Sequence, residues 1–378
     1  MAPLKQLFQA LEFAHYAERF RGKIFVVSLS READFHELLL DLKVLAGYHV
    51  QVVLVAPDPQ FELEGAIALS NKRGTRFHLS MLTEVAHDPE GGLADVALDR
   101  LQSALARGQM PVIAYHVDAP ADGELEPTFA LGANLAAALG ADKLYLVSPQ
   151  ASAWMEVSSR SQILREELSR LDAELSNAGV SGQRPLMDFI HTCLSRGIPD
   201  IVLVEGLRSY LFKEVFTHDG AGILFTRVKP AHVRPAEVKD VTDIALLLTP
   251  EIEKGRILHI DENDIERDIG YYQVYEIDGL LVGLARLKRF GTWAEMAQFA
   301  TLPRYRGKGR ARELALRLID QALAMDIQAV FALSVVPRMW DFFRDLGFRE
   351  VDREVLPEAW RAGYDMTRPS KAFLKELR

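Results

Sequence analysis

Leu302-Pro-Arg-Tyr-Arg-Gly-Lys-Gly-Arg-Ala-Arg-Glu-Leu-Ala-Leu-Arg317 decides how the carboxyl-terminal half of this chain is read. Upstream, Glu295-Met-Ala-Gln-Phe-Ala-Thr301 predicts a strand, and downstream Leu314, Leu318, Ala322 and Met325 recur at helical spacing. A strand therefore runs into a loop holding Arg306, Gly307, Lys308, Gly309, Arg310 and Ala311, and the loop opens a helix. Glycines without a Cβ let the backbone approach a ligand, and free N–H groups at a helix start favour anions. Lys308 and Arg310 add positive charge. The physical reading is a cradle for a pyrophosphate. The loop has neither the Gly-x-x-x-x-Gly-Lys-(Ser/Thr) spacing of a P-loop nor the Gly-x-Gly-x-x-Gly spacing of dinucleotide folds. A second reading is a basic turn ahead of an amphipathic helix.

With 378 residues the chain has room for two domains of ordinary size. A net charge of −9 speaks against non-specific nucleic-acid binding, so the basic cluster around the loop is local and suits a phosphorylated small molecule. Cys193 is the only cysteine, which rules out a disulfide scaffold and cysteine-based zinc sites; no metal is expected. Lys5, Glu12, Glu18 and Arg19 interrupt the first 20 residues, and no window offers the roughly 20 apolar residues of a membrane span. A cytoplasmic protein without a membrane partner is expected.

Toward the amino terminus, apolar strand-like runs alternate with helical ones. Strands are predicted at 24–29, 50–56, 111–116, 143–147 and 200–204, and helices at 4–13, 34–46, 94–107, 131–139, 161–177 and 186–195. Such alternation predicts α/β architecture with a parallel sheet covered on both faces. A linker is expected at 223–232, where Lys229-Pro230 and then Pro235 stand, giving domains 1–225 and 226–378. In the second domain, 233–248 reads as a strand entering a helix and 260–269 as a short helix. Asp278-Gly279 is a hairpin turn, 329–334 a buried strand and 339–348 a helix ending at Gly347.

Arg306-x-x-Gly309-x-Ala311 resembles the (Gln/Arg)-x-x-Gly-x-(Gly/Ala) loop by which acyltransferases of the GNAT superfamily hold coenzyme A. The element order and the Trp340-Asp-Phe-Phe-Arg-Asp-Leu-Gly-Phe348 ending are similar to that superfamily too. The first 225 residues resemble the amino-acid kinase fold, most clearly at Ala136-Ala-Ala-Leu-Gly-Ala-Asp-Lys-Leu-Tyr-Leu-Val147 and Val215-Phe-Thr-His-Asp-Gly-Ala-Gly222. Kinase chemistry is not expected. Ser28-Leu-Ser-Arg31 and Ala56-Pro-Asp-Pro59 stand where active kinases carry glycine-rich phosphate loops, and proline has no N–H to give. A kinase-like domain ahead of a GNAT domain resembles the layout of the N-acetylglutamate synthase family. Tyr16 followed by Phe20-Arg-Gly-Lys-Ile-Phe-Val-Val27 is similar to that family's entry into its first strand.

The resemblance implies acetyl transfer from acetyl-CoA to L-glutamate. It implies Glu295 as base, Ser334 near the departing thiolate, and Phe299 and Thr301 as backbone donors to the pantetheine. Arg306, Gly307, Lys308, Gly309, Arg310 and Ala311 would hold the pyrophosphate. Arg368-Pro-Ser370-Lys371 would grip the acceptor's carboxylate, the device expected of a guanidinium. A family arginine expected near His259-Ile260 is absent; Arg256 stands closest. Gln298 stands where relatives can carry cysteine. Trp340, Phe342 and Phe343 stand where many GNAT enzymes place an acid tyrosine. In the amino-terminal domain, Tyr16, Glu214, Gly220 and Gly222, with Asp219, would form an arginine effector site, and the domain would support a homo-oligomer. Plainer readings remain: Tyr16 as a core aromatic, Ser334 as a strand-terminal serine, Arg368 to Lys371 as a cationic tail. Two rival functions also remain, a GNAT enzyme for another amine and a non-catalytic amino-acid sensor.

Overall fold

The computed structural model describes residues 2–57, 65, 95–115, 124–158, 160–180, 182–217, 220–228, 231–302, 305–307 and 309–377. It divides into two units, Gln9–Lys229 and Pro230–Arg378, with Met1–Phe8 grouped with the latter.

In the first unit the apolar runs become strands β1 (Ile24–Leu29), β2 (Gln51–Pro57), β3 (Val112–Tyr115), β4 (Lys143–Val147), β5 (Gln162–Leu164), β6 (Asp200–Val204) and β7 (Gly222–Thr226). They form one sheet in the order β3-β2-β1-β4-β6-β7-β5. Successive side chains point to opposite faces. Val26, Val53 and Leu144 therefore enter one core with Trp154, while Phe25, Leu54 and Tyr145 enter another with Leu38 and Phe216. The covering helices are α1 (Ala2–Arg19), α2 (Phe35–Gly47), α3 (Asp95–Ala106), α4 (Pro127–Leu139), α5 (Gln150–Val157), α6 (Leu168–Asn177), α7 (Gln183–Ser195) and α8 (Tyr210–Phe216). Cys193 is buried on α7, and burial pushes its thiol up to about 12, as suits an inert core side chain.

Five strands, β3 to β6 in spatial order, are parallel, as their apolar runs predict. The far edge differs. β7 runs antiparallel to β6, from Asp200↔Thr226 to Val204↔Gly222, and β5 lies parallel to β7, so the sheet is mixed. Residues 223–226 thus belong to a strand rather than a linker. The helix expected over 161–177 starts only at Leu168, because Ile163 is wholly buried in the edge strand ahead of it. Leu168, Leu171 and Leu175 carry the helical period; a three-residue strand is too short to show a period of its own.

The second unit holds β8 (Ala231–Pro235), β9 (Tyr272–Ile277), β10 (Leu280–Phe290), β11 (Trp293–Thr301), β12 (Ala329–Ser334), β13 (Arg349–Val351) and β14 (Lys371–Glu376). The sheet order is β13-β14-β12-β11-β10-β9-β8. Its helices are α9 (Val241–Glu253), α10 (Glu262–Arg267), α11 (Arg310–Ala324), α12 (Pro337–Asp345) and α13 (Glu358–Arg361). Asp278 (φ 54°) and Gly279 (φ 84°) both take positive φ, the requirement of the tight turn that joins β9 to β10. Lys371 begins β14, which pairs with both β12 and β13, so the chain from Lys371 onward is part of the sheet, while Arg368 and Ser370 stand just ahead of it.

β11 and β12 are parallel neighbours at three pairs only, Trp293↔Ala329, Ala294↔Val330 and Glu295↔Phe331. Past that point β11 stays with β10 and β12 stays with β14. The sheet opens there into a wedge whose walls carry unpaired backbone edges.

Gly222 offers a test of the mixed edge. A Cβ there would meet the carbonyl oxygen of Leu203 on β6, and backbone in a paired strand cannot step aside. Gly222→Ala is expected to destabilise the protein by about 1–3 kcal/mol, read as a lower urea midpoint.

Candidate functional site

The wedge is shaped by a bulge. Pairing of β10 with β11 passes from Arg286↔Ala297 to Leu284↔Ala300, leaving Gln298 and Phe299 opposite a single residue. Gln298 holds φ 55°, a left-handed backbone unusual for a residue with a Cβ. Across the wedge, Ser334 ends β12. Its Oγ accepts a hydrogen bond from the Val336 amide at 3.1 Å, so the hydroxyl proton is left to give elsewhere, and its carbonyl accepts from Trp340 Nε1 at 2.8 Å.

On one side of the bulge lies a cleft of about 790 Å³. Phe299, Thr301, Arg306, Gly307, Gly309, Arg310 and Ala311 all line it, so the residues expected to hold coenzyme A are brought together; Lys308 lies outside the described residues. Gly307 (φ 80°) and Gly309 (φ 78°) make the left-handed turn that leads into the 15-residue α11. Two arginines serve the loop itself. Arg306 donates from Nε to the Thr301 carbonyl at 3.0 Å and from Nη2 to Glu251 at 3.0 Å. The Arg310 side chain is turned inward, donating to the Tyr305 carbonyl at 3.0 Å and resting over the Tyr305 ring.

On the other side lies a smaller cavity of about 320 Å³, lined in part by Glu295, Ser334, Arg256, Arg368 and Ser370. Glu295 is buried, with one donor on each carboxylate oxygen: Arg286 Nη2 on Oε2 at 2.9 Å and Trp360 Nε1 on Oε1 at 2.8 Å. Arg286 also lies 3.7 Å from Asp268, which accepts from Lys288 at 3.0 Å. The Arg368 guanidinium donates to the carbonyl of Gly255 at 2.7 Å, and Ser370 accepts from the Tyr364 hydroxyl at 2.9 Å. Lys371 is not among the residues lining this cavity; it pairs with Glu350 at 2.7 Å and sits over the Trp340 ring.

Arg286, Lys288, Tyr272 and Trp360 were not anticipated. Arg286 and Lys288 break the apolar run of β10 at alternate positions and so share a face, and Lys288 stands directly opposite Glu295 in register. That alternation was visible; the register that brings it to Glu295 was not.

The expected effector residues lie in the first unit. Tyr16 is buried against Phe20, and Glu214 accepts from the amides of Ala221 at 2.6 Å and Gly222 at 2.9 Å, closing the loop at the left-handed Gly220. Asp219 lies outside the described residues. Among the described residues, no helix is long and apolar enough to cross a membrane and no acidic, His or Cys group could hold a metal.

Glu251 joins the two cavities. Its oxygens accept from Arg306 and from Arg256 at 3.0 Å each, with Lys254 at 3.5 Å. Desolvation alone would raise its carboxyl, but the Arg256 and Arg306 guanidiniums outweigh it and hold the group below its ordinary 4.5. A depressed carboxyl contributes stability above the unfolded value and loses it as pH falls through the folded one. The stability gap between wild type and Glu251→Gln is therefore expected to be full above pH 4.5 and to shrink below it, measured as melting temperature against pH.

Residues 239–348 match the acetyltransferase (GNAT) family model. The amino-acid acetyltransferase of Azotobacter vinelandii is 31% identical over 243 residues, which cover 63% of this chain and 55% of the relative. That of Edwardsiella ictaluri is 29% identical over 254 residues, covering 65% and 57%. The matched region thus spans little more than half the length of these curated relatives. The N-acetylglutamate synthase of Neisseria gonorrhoeae, solved with coenzyme A and L-arginine, superposes with a TM-score of 0.70 at 20% identity, covering 98% of this chain and 99% of that one. The second unit is therefore matched over most of its length by the GNAT acetyltransferase family, and the chain as a whole is folded like an N-acetylglutamate synthase.

Proposed function

We propose that this chain is an amino-acid N-acetyltransferase that moves the acetyl group of acetyl-CoA to the α-amine of L-glutamate. The observation that carries this reading is the placing of Glu295. It stands at the last β11–β12 pair, where the wedge opens, and lines the smaller cavity beside a cleft suited to coenzyme A. Around both cavities positive charge is in excess among the named side chains. Arg256, Lys254 and Arg306 share Glu251; Arg286 and Lys288 share Asp268 and Glu295; Arg368 rests on a backbone carbonyl. That balance suits a pyrophosphate on one side and an acceptor with two carboxylates on the other.

The chemistry follows from what the reaction needs. An α-amine is mostly protonated at neutral pH and must lose a proton before it attacks. Each oxygen of Glu295 has one donor and keeps a lone pair, so the carboxylate can take that proton, directly or through water. The amine nitrogen then bonds to the thioester carbonyl carbon, and the C–S bond breaks, the second amine proton leaving with the thiolate to give the thiol. The backbone N–H groups of Phe299 and Thr301 would hold the pantetheine arm and the carbonyl oxygen. The Ser334 hydroxyl, whose oxygen is already engaged by the Val336 amide, would donate a hydrogen bond to the departing thiolate without losing its proton.

A rival acceptor, another amino acid, rests on the missing arginine near His259. Arg286 and Lys288 supply cations to the same cavity and weaken that case. The first unit, within residues 1–225, is read as a regulatory and oligomer-forming part that binds L-arginine, an extension supported by its likeness in fold to a synthase solved with L-arginine. Coenzyme A release measured over a panel of amino acids, with and without arginine, tests the whole reading. No rate above background with glutamate would sink it, and failure to bind acetyl-CoA would favour a sensor. Glu295→Gln is expected to lower kcat by about 10²–10⁴ while acetyl-CoA affinity by calorimetry stays unchanged.

A further inference from the structure

Gln298 lies where the cleft and the acceptor cavity meet, and it lines both. It holds a left-handed backbone in the middle of a strand, a conformation that costs a residue with a Cβ and would suit glycine better. Its side chain is nonetheless anchored. The Tyr272 hydroxyl, on a wholly buried ring, is 2.5 Å from Gln298 Oε1.

The direction of that bond can be deduced. Arg286 and Tyr272 are cross-strand neighbours in register, and a guanidinium, having only donors, cannot take the phenol's hydrogen. The phenol hydrogen therefore goes to the acceptor within reach, which is Gln298 Oε1. With Oε1 so occupied, the carboxamide is fixed in one of its two orientations, and both Nε2 hydrogens are left for other partners. The same Arg286 donates to Glu295 at 2.9 Å, so the candidate base and the Tyr272–Gln298 pair stand beside one guanidinium.

We propose that Gln298 is a catalytic residue: its Nε2 donates a hydrogen bond to the thioester carbonyl oxygen as it becomes the oxyanion, and Tyr272 is the positioning residue that aims it. No proton is transferred to or from Gln298. The amine lone pair forms the new C–N bond, the carbonyl pair moves onto oxygen, and the pair returns as the C–S bond breaks. Donors placed where charge develops act on turnover rather than on ground-state binding. The inference rests on the acetyl-transfer reading and adds to it one side chain, Gln298.

The double variant Tyr272→Phe/Gln298→Gly tests it. Removing both partners leaves no orphaned hydroxyl, and glycine relieves the left-handed strain. Its melting temperature is expected at or above that of wild type, while kcat falls by about 10²–10³ and both KM values stay within about threefold. Gln298→Gly alone is expected to be as slow as the double variant, because Tyr272 acts only through Gln298. A double variant with kcat within twofold of wild type overturns the proposal. So does a fall in kcat matched by a fall in melting temperature, or single losses that multiply. A wild-type protein that releases no coenzyme A with any amino acid overturns the acetyl-transfer reading as well, whereas an active wild type with an equally active double variant removes Gln298 alone.

Discussion

After Glu295↔Phe331 the strands β11 and β12 stop pairing although both continue, and the rest of the second unit depends on that parting. Two parallel strands held along their whole length would leave no room between them. By separating, they create a gap with backbone N–H and C=O groups on its walls, which must find partners if it is buried. The bulge at Gln298 and Phe299 works in the same place, since an extra residue in β11 turns the strand and re-aims its edge. Loop and helix start then close one end, with Gly307 and Gly309 making the turn into α11.

Two charged hubs hold this opening in shape. Glu251 gathers Arg306 from the loop and Arg256 from beyond α9, so the larger cleft and the smaller cavity are tied to a single carboxylate. Arg286 does the reverse job, one cation serving Glu295 and Asp268. Ion pairs of this kind are half-buried, and breaking one partner leaves an uncompensated charge, which is costly. Their value lies in geometry. A base or a donor acts only when it is held within hydrogen-bond reach of the reacting atoms.

Much of the fold was legible because its signals are local. The apolar runs of β1, β2, β4 and β6 needed only their own residues to be read as buried strands, and Asp278-Gly279 announced its hairpin by its backbone demands alone. The edge was not legible. β5 is three residues long, and whether β7 runs with or against β6 depends on how the chain returns to the sheet. The candidate site divides the same way. Arg306 to Ala311 could be named from spacing, yet that Arg306 clasps Glu251 and Arg310 rests over the Tyr305 ring could not.

The amino-acid sequence by itself determined the two α/β halves and the phosphate-suited loop at a helix start. Periodicity and glycine chemistry act over a few neighbouring residues and need no knowledge of the rest. Only the tertiary structure decided what surrounds Glu295. Arg286 lies 9 positions away in sequence and Trp360 lies 65 away, and both reach the same carboxylate through sheet register and through a helix folded back over β12. A one-residue slip in that register would turn Arg286 to the opposite face. The chemistry of this site is thus set by pairing between strands, which no single stretch of sequence contains.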